Sequence, residues 1–185
     1  RNVPRHGANT FHEALQSLFF LHIAIFQESM GETICPGRID QILYPYYLSD
    51  LKVGRITPGK ARELLAVFCI KLCETIPVFS QAITNLAGGM PSWQVITMGG
   101  TDRDGHDATN TLSYMLVDIA SELRMRQPNF HARLHHASPP EFKKAIYNVL
   151  SDGSNSPALF NDEVIVPAMI GAGYDVHDAR DYVAI

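Results

Sequence analysis

The run QVITMGG, Gln94–Gly100, decides how the rest of the chain is read. It is short, carries three β-branched residues in a row and ends against two glycines, the pattern of a buried strand that then turns sharply. Two similar runs follow, FHARL at Phe130–Leu134 and PALF at Pro157–Phe160. Between the first and second, an apolar helical pattern begins near Asp107 and reaches about Arg124. Between the second and third, a helix is expected to open on a capping box at S-P-P-E, Ser138–Glu141, and to stop before Gly153. Two short helices should follow, within Glu163–Ile170 and over Asp175–Tyr182. Strand, long helix, strand, long helix, strand is the order of parallel crossover units, so the fold class is α/β, a layer or a barrel. Three strands close poorly on themselves, and the pattern predicts part of a larger sheet.

Upstream of Gln94 the chain reads as helical. T-F-H-E, Thr10–Glu13, is a capping box that opens a helix ending before Gly31. Its stretch from Leu18 to Phe26 is apolar nearly all round, so the helix should lie in the middle of something large. That stretch is interrupted by His22 and falls short of the roughly 20 residues that a membrane span needs. ETICPGRIDQILYPYY, Glu32–Tyr47, reads as a Pro/Gly loop running into an aromatic-rich segment. The next helix starts at Thr57 with Pro58 in its first turn, turns Leu64, Leu65, Phe68 and Leu72 inward, and is closed by Pro77.

Composition narrows the class. At 185 residues, with 46% hydrophobic and 18% charged side chains, the chain is long enough to bury a sizeable core. It shows no repeat or linker, so one domain over 1–185 without an internal boundary is expected. The net charge of −4 comes without a Lys/Arg block, which argues against nucleic acid or an anionic membrane as partner. RNVPRHGANT lacks the apolar run of a signal peptide. Three cysteines without a CxxC pair fit a reducing, cytoplasmic setting.

Several groups of residues invite a chemical reading. Asp102, Asp104, Gly105 and Asp107 look like part of a calcium loop, but its sixth and twelfth positions hold Asp107 and Ser113 instead of Gly and Glu. A polar turn capping the next helix through Asp107 is the simpler reading. His131, His135 and His136 lack a second ligand pair at zinc spacing, and a structural role is expected. Cys69 and Cys73 sit on the apolar face of a helix and read as core. Cys35, in a Pro/Gly loop, is a site candidate.

Taken together, longer segments carry a resemblance. FHEALQSLFFLHIAIFQE, GETICPGRIDQILYPYY, MGGTDRDGHDATN, QPNFHARLHH, PALFNDEVIVPAM and GYDVHDARDYVAI resemble, in order, the core of glycyl radical enzymes of the pyruvate formate-lyase type. The resemblance implies that QVITM, FHARL and PALF are strands of a ten-stranded α/β barrel, of which this chain would be a helix-rich part. It further implies a radical enzyme of anaerobic metabolism in which a segment like DARDYVAI leads into a Gly-Cys dipeptide. That cysteine, just beyond Ile185, would carry the thiyl radical, so no catalytic residue is expected within the chain. The glycyl radical would be installed by a radical-SAM activating enzyme, with no other bound cofactor and no metal. A small-molecule substrate and a homodimeric parent are also implied.

In dehydratase-like relatives the residues before PGR resemble HSIS, whose His and Ser contact substrate hydroxyls. Here Glu32, Thr33, Ile34 and Cys35 stand there, which departs from the diol-dehydratase pattern. The Asp of the GR-x-D-Q motif is present as Asp40. Glu32, Thr33, Cys35, Arg38 and Asp40 are thus the expected substrate-binding set. Arg38 suits either an anion clamp or a partner for a neighbouring carboxylate. Asn161 and Asp162, at the end of a presumed strand, are site positions by barrel analogy only. A lyase or dehydratase follows best, with C–O, C–C, C–N or C–S cleavage all open. A formate acetyltransferase and a non-catalytic binding module are the alternatives.

Overall fold

A computed structural model describes residues 2–28, 34–75, 80–87, 94–154 and 156–184. In chain order these form α1 (Phe11–Glu28), α2 (Ile39–Lys52), α3 (Pro58–Cys73), α4 (Gln81–Ala87), β1 (Val95–Gly99) and α5 (Thr111–Leu123). They continue as β2 (Asn129–Leu134), α6 (Pro140–Ser151), β3 (Ala158–Asn161), α7 (Asp162–Gly171) and α8 (Val176–Arg180). All three expected strands are present within a residue or two of their predicted bounds. Contacts gather into two units, Arg1–Pro36 with Pro45–Val95 and Met125–Asn129, and Gly37–Tyr44 with Ile96–Arg124 and Phe130–Ile185.

In the first unit, the start of α1 is capped by three groups. Thr10 Oγ1 accepts the N–H of Glu13 at 3.1 Å, and Asp50 Oδ2 accepts the N–H of Phe11 at 2.8 Å. The Glu13 carboxylate reaches back to the N–H of Asn9 at 2.8 Å, one residue upstream of the expected box. α1 packs on α3, with the rings of Phe19 and Phe68 edge to face at 6.4 Å. Leu65, Phe68 and Leu72 are buried as expected, whereas Leu64 is only half-buried. Cys69 is core, and burial pushes its thiol up to about 12. The outer face of α1 departs from the expected all-round burial: Phe20 is 46% and Leu21 56% exposed. Pro77, expected to close α3, lies outside the described residues; the helix ends at Cys73.

α2 was hidden in the sequence by Pro45, which sits inside the helix and removes a main-chain donor. Ile39, Leu43 and Tyr47, four residues apart, are all buried, and that apolar stripe offsets the proline.

In the second unit the sheet runs β1-β2-β3, and β2 pairs with β3 in parallel from His131↔Ala158 to Leu134↔Asn161. Every residue of β1 is buried, as a strand covered on both faces requires. Gly37 adds a parallel bridge beside Ile96. α5 is capped by Asn110, not Asp107: its side chain accepts from Leu112 N–H, while Ser113 Oγ accepts the N–H of Asn110. Nor does Ser138 cap α6. Two prolines start that helix at Pro140, one residue too late for the box, and Ser138 Oγ instead accepts the N–H of His135 at 3.0 Å. α6 meets α5 through Tyr114 and Phe142, ring centres 5.3 Å apart.

The centre of this unit is charged. Arg133, on β2, is fully buried. Its Nε and Nη2 grip the two oxygens of Asp162 at 2.9 and 2.8 Å, and Nη1 and Nη2 donate to the carbonyls of Tyr182 and Arg180 at 2.8 and 2.7 Å. The guanidinium also lies 3.9 Å from the centre of the Tyr182 ring. Gly100, at φ +82°, leaves room for this group, since a Cβ there would stand 2.6 Å from Arg133 Nε. Burial alone would raise the Asp162 carboxyl, but Arg133, the Tyr182 hydroxyl and the Thr101 N–H hold it below the usual carboxylate range.

Arg133→Met should therefore destabilise the protein by about 3–5 kcal/mol, because it strands a buried carboxylate. Urea denaturation measures this, and a loss below about 1 kcal/mol would contradict it. Asp162 also sets a pH dependence. Its stabilisation is complete above the unfolded carboxyl value of about 3.9 and is lost as pH falls through the lower folded value. Wild type should lose stability below about pH 4 more steeply than Asp162→Asn, as read from melting temperatures across that range.

Candidate functional site

The residues of the GR-x-D-Q motif act on the peptide groups that follow β1. Asp40 Oδ2 accepts the N–H of Gly99 at 2.8 Å and the hydroxyl of Ser113 at 2.5 Å. Arg38 Nη2 donates to the carbonyl of the same Gly99 at 2.9 Å. Gly99, at φ +71°, is thus held at both ends of its main chain. Gln41 Nε2 donates to the carbonyl of Ala108 at 2.8 Å, and Asn110 Nδ2 donates back to the carbonyl of Asp40 at 3.2 Å. The motif is a fastening for the turn from β1 into α5.

Asp40 is wholly buried, and its Oδ1 has no partner among the described residues. Burial raises its carboxyl; the bonds from Ser113 and Gly99 and the charge of Arg38 oppose that shift. Arg38 is buried too, and its Nη1 pairs with Asp181 Oδ1 at 2.9 Å. This ion pair is a carboxylate partnership of the kind expected for Arg38. Cys35 is half-buried, and burial raises its thiol against the opposing pull of the Val95 main chain, so it is not poised as a thiolate. Glu32 and Thr33 lie outside the described residues.

The segment 180–184 is gripped largely by side chains from β1 and β2. The carbonyl of Ala184 accepts the Thr97 hydroxyl at 3.3 Å and His131 Nδ1 at 3.0 Å. A carbonyl only accepts, so His131 carries a proton on Nδ1. Burial lowers the pKa of this imidazole and favours its neutral form. Its ring lies 4.8 Å from that of Phe160. With Arg133 on the carbonyls of Arg180 and Tyr182 and Arg38 on Asp181, four side chains hold four of the five residues 180–184. The sequence reading missed Thr97 and Arg133 entirely and gave His131 only an unspecified structural role. An arginine and a histidine alternating within an otherwise apolar strand were the available signal.

The remaining candidates resolve into local structure. Asp102 Oδ1 accepts the N–H groups of Asp104 and His106, both at 2.9 Å, which makes this stretch a polar turn. Asp102, Asp104 and His106 are grouped closely enough for a cation, but these bonds already occupy the first acid. His135 Nε2 meets Asp107 at 3.0 Å and His136 Nδ1 meets Glu163 at 2.6 Å, so the three histidines serve three different partners. Asn161 caps α7 by accepting the N–H of Glu163 at 3.0 Å, and Asp162 is committed to Arg133. No described helix is long and apolar enough to cross a membrane.

Comparison with known proteins accords with this architecture. Residues 1–185 match the family model described as pyruvate formate lyase-like. The chain is 33% identical over 182 residues to the isethionate sulfite-lyase of Nitratidesulfovibrio vulgaris, covering 97% of this chain and 22% of the relative. It superposes on a glycyl radical enzyme from Archaeoglobus fulgidus with a TM-score of 0.94 and 38% identity, over 100% of this chain and 24% of that one. On the B12-independent glycerol dehydratase from Clostridium butyricum, solved with glycerol bound, the TM-score is 0.91 at 39% identity, over 97% and 22% of the two chains. The chain therefore spans a little over a fifth of the length of these relatives. Its helices and parallel strands are those of the α/β barrel of these enzymes. The chain belongs to the pyruvate formate lyase-like family of glycyl radical enzymes.

Proposed function

We propose that this chain is part of the chamber wall of a glycyl radical lyase or dehydratase, which cleaves a C–O, C–C, C–N or C–S bond in a small polar substrate. The reactive sulfur belongs to a cysteine beyond residue 185, and the glycyl radical that generates it lies outside this chain. The observation that carries the reading is the grip on residues 180–184, which sets where the following residues emerge against β1 and β2. The exposed edge strand β3 is also consistent with a sheet that continues. Relatives named as a sulfite-lyase and a glycerol dehydratase favour lyase chemistry over acyl transfer.

The chemistry asks for geometry and dryness. The thiyl radical takes a hydrogen atom from a substrate carbon, so an S–H bond forms as a C–H bond breaks. The carbon radical then expels its leaving group with the bonding electron pair as a substrate proton departs, so the radical stays on carbon. The hydrogen returns from sulfur to that carbon and regenerates the thiyl radical. No net charge crosses to the protein in the first step, so the wall contributes by enclosure and orientation. The buried Arg133 is paired with Asp162 and does not compete for the substrate.

Within the wall, Glu32, Thr33 and Cys35 are the residues we assign to substrate contact. They replace the residues by which diol dehydratases hold hydroxyl groups, and so direct this enzyme to a substrate other than a simple diol. Arg38 and Asp40 bond to Gly99, Ser113 and Asp181, and Asp40 Oδ1 is left without a partner among the described residues. The parent enzyme is assigned to the cytoplasm as a homodimer, charged by a radical-SAM activase, with no nucleic-acid or membrane partner.

The test is the parent reading frame and its product. A Gly-Cys pair directly after Ile185, and a glycyl radical signal in electron paramagnetic resonance after anaerobic activation, are expected. A frame without that thiol, or a chain that binds ligands but never carries the radical, would leave a non-catalytic module instead. In the active enzyme, Thr33→Ala should lower kcat/KM at least tenfold, about 1.4 kcal/mol, without changing the melting temperature. Asp40→Asn should keep turnover within about threefold, because the amide oxygen can still accept from Gly99 and Ser113. Asp40→Ala orphans both donors and should cost about 2–4 kcal/mol of stability. Equal loss of turnover in Asp40→Asn and Asp40→Ala would instead place the carboxylate on the substrate.

A further inference from the structure

We infer that Thr97 and His131 are positioning residues whose shared hydrogen bonds to the Ala184 carbonyl set the height and direction of the chain that carries the reactive thiol. This deepens the function proposed above and rests on it.

Two neighbouring strands each contribute one donor to a single main-chain oxygen: the hydroxyl of Thr97 from β1 and Nδ1–H of His131 from β2. Neither residue is what packing alone would choose. Thr97 is fully buried between Ile96 and Met98, where valine would fill the same volume, and His131 stands between Phe130 and Ala132. A buried hydroxyl needs a partner, and the Ala184 carbonyl provides it. Two donors converging from different strands fix an oxygen in two directions, which one donor does not. The ring of Phe160 beside His131 restrains the imidazole itself.

The fastening lies where position matters most. Hydrogen-atom transfer requires sulfur and carbon at near-contact, and a displacement of about 1 Å from such geometry costs on the order of a hundredfold in rate. Arg133 holds the carbonyls of Arg180 and Tyr182, so the fold of this segment does not depend on Thr97 and His131. Their bonds act on the last described residue before Ile185. They should therefore govern the rate of the chemical step, leaving folding, radical storage and substrate affinity in place.

The experiment uses the full-length, activated enzyme and the variants Thr97→Val, His131→Phe and His131→Asn. Thr97→Val should lower kcat about tenfold and His131→Phe by about tenfold to a hundredfold, both with KM, melting temperature and glycyl radical content near wild type. His131→Asn, whose amide N–H stands where Nδ1–H stood, should recover kcat to within about threefold. Wild-type kcat in both Thr97→Val and His131→Phe would overturn the proposal. So would a loss in His131→Asn equal to that in His131→Phe, or losses that simply follow melting temperature. A wild-type parent without a thiol after Ile185 would instead overturn the functional reading itself, and that outcome is read before any variant is made.

Discussion

The Arg133–Asp162 pair is the interaction on which the rest of the second unit depends. A guanidinium with no exposed surface is tolerable only if its donors are met, and here four hydrogen bonds go to one carboxylate and two carbonyls. The consequence reaches beyond stability. Asp162 begins α7 and also accepts the N–H of Thr101 at 2.9 Å and the hydroxyl of Tyr182 at 2.9 Å. One ion pair therefore joins the exit of β1, the middle of β2, the start of α7 and the segment after α8. An apolar pair of equal volume would fill the space as well, but it would not specify where four separate backbone stretches lie.

Two buried carboxylates in this unit show how environment separates roles. Asp162 faces a guanidinium at two-point contact, and that charge overrides the cost of burial. Asp40 is served at contact distance by a hydroxyl and an amide, with Arg38 acting only through its field; there burial wins and the carboxyl rises. The first is a permanent anion that organises the sheet. The second accepts from Gly99 and Ser113 against the cost of its burial.

The strands were legible because β1 is buried along its whole length and reads as an unbroken apolar run. α7 and α8 were placed within about two residues, although the caps that open them, Asn161 and Asp175, were not read as caps. α2 was not, since Pro45 counts heavily against a helix in local terms, and only the buried faces of Ile39, Leu43 and Tyr47 outweigh it. Asp107 and Ser138 have the chemistry of caps, yet each is taken by His135, a partner far from Asp107 and three residues from Ser138 in sequence. Site reading had the same limit. That Arg38 and Asp40 were important could be read from the motif, but their target, the two ends of the Gly99 peptide, is a fact of tertiary structure.

The same limit explains why the hand of side chains on residues 180–184 escaped notice. Carbonyl oxygens have no letter in a sequence, so a segment held through its carbonyls looks like a segment held by nothing. Val183 and Ala184 are apolar letters that suggest only packing, whereas the carbonyls of Ala184 and of nearby Tyr182 are met by Arg133, His131 and Thr97. A strand ladder would fix such a segment through many weak, interchangeable bonds and would tolerate a slip in register. Individual side-chain donors do not: a slip of one residue would carry these carbonyls away from Arg133 Nη1, His131 Nδ1 and the Thr97 hydroxyl. Discrete anchors of this kind are the stricter device for setting where one stretch of main chain lies.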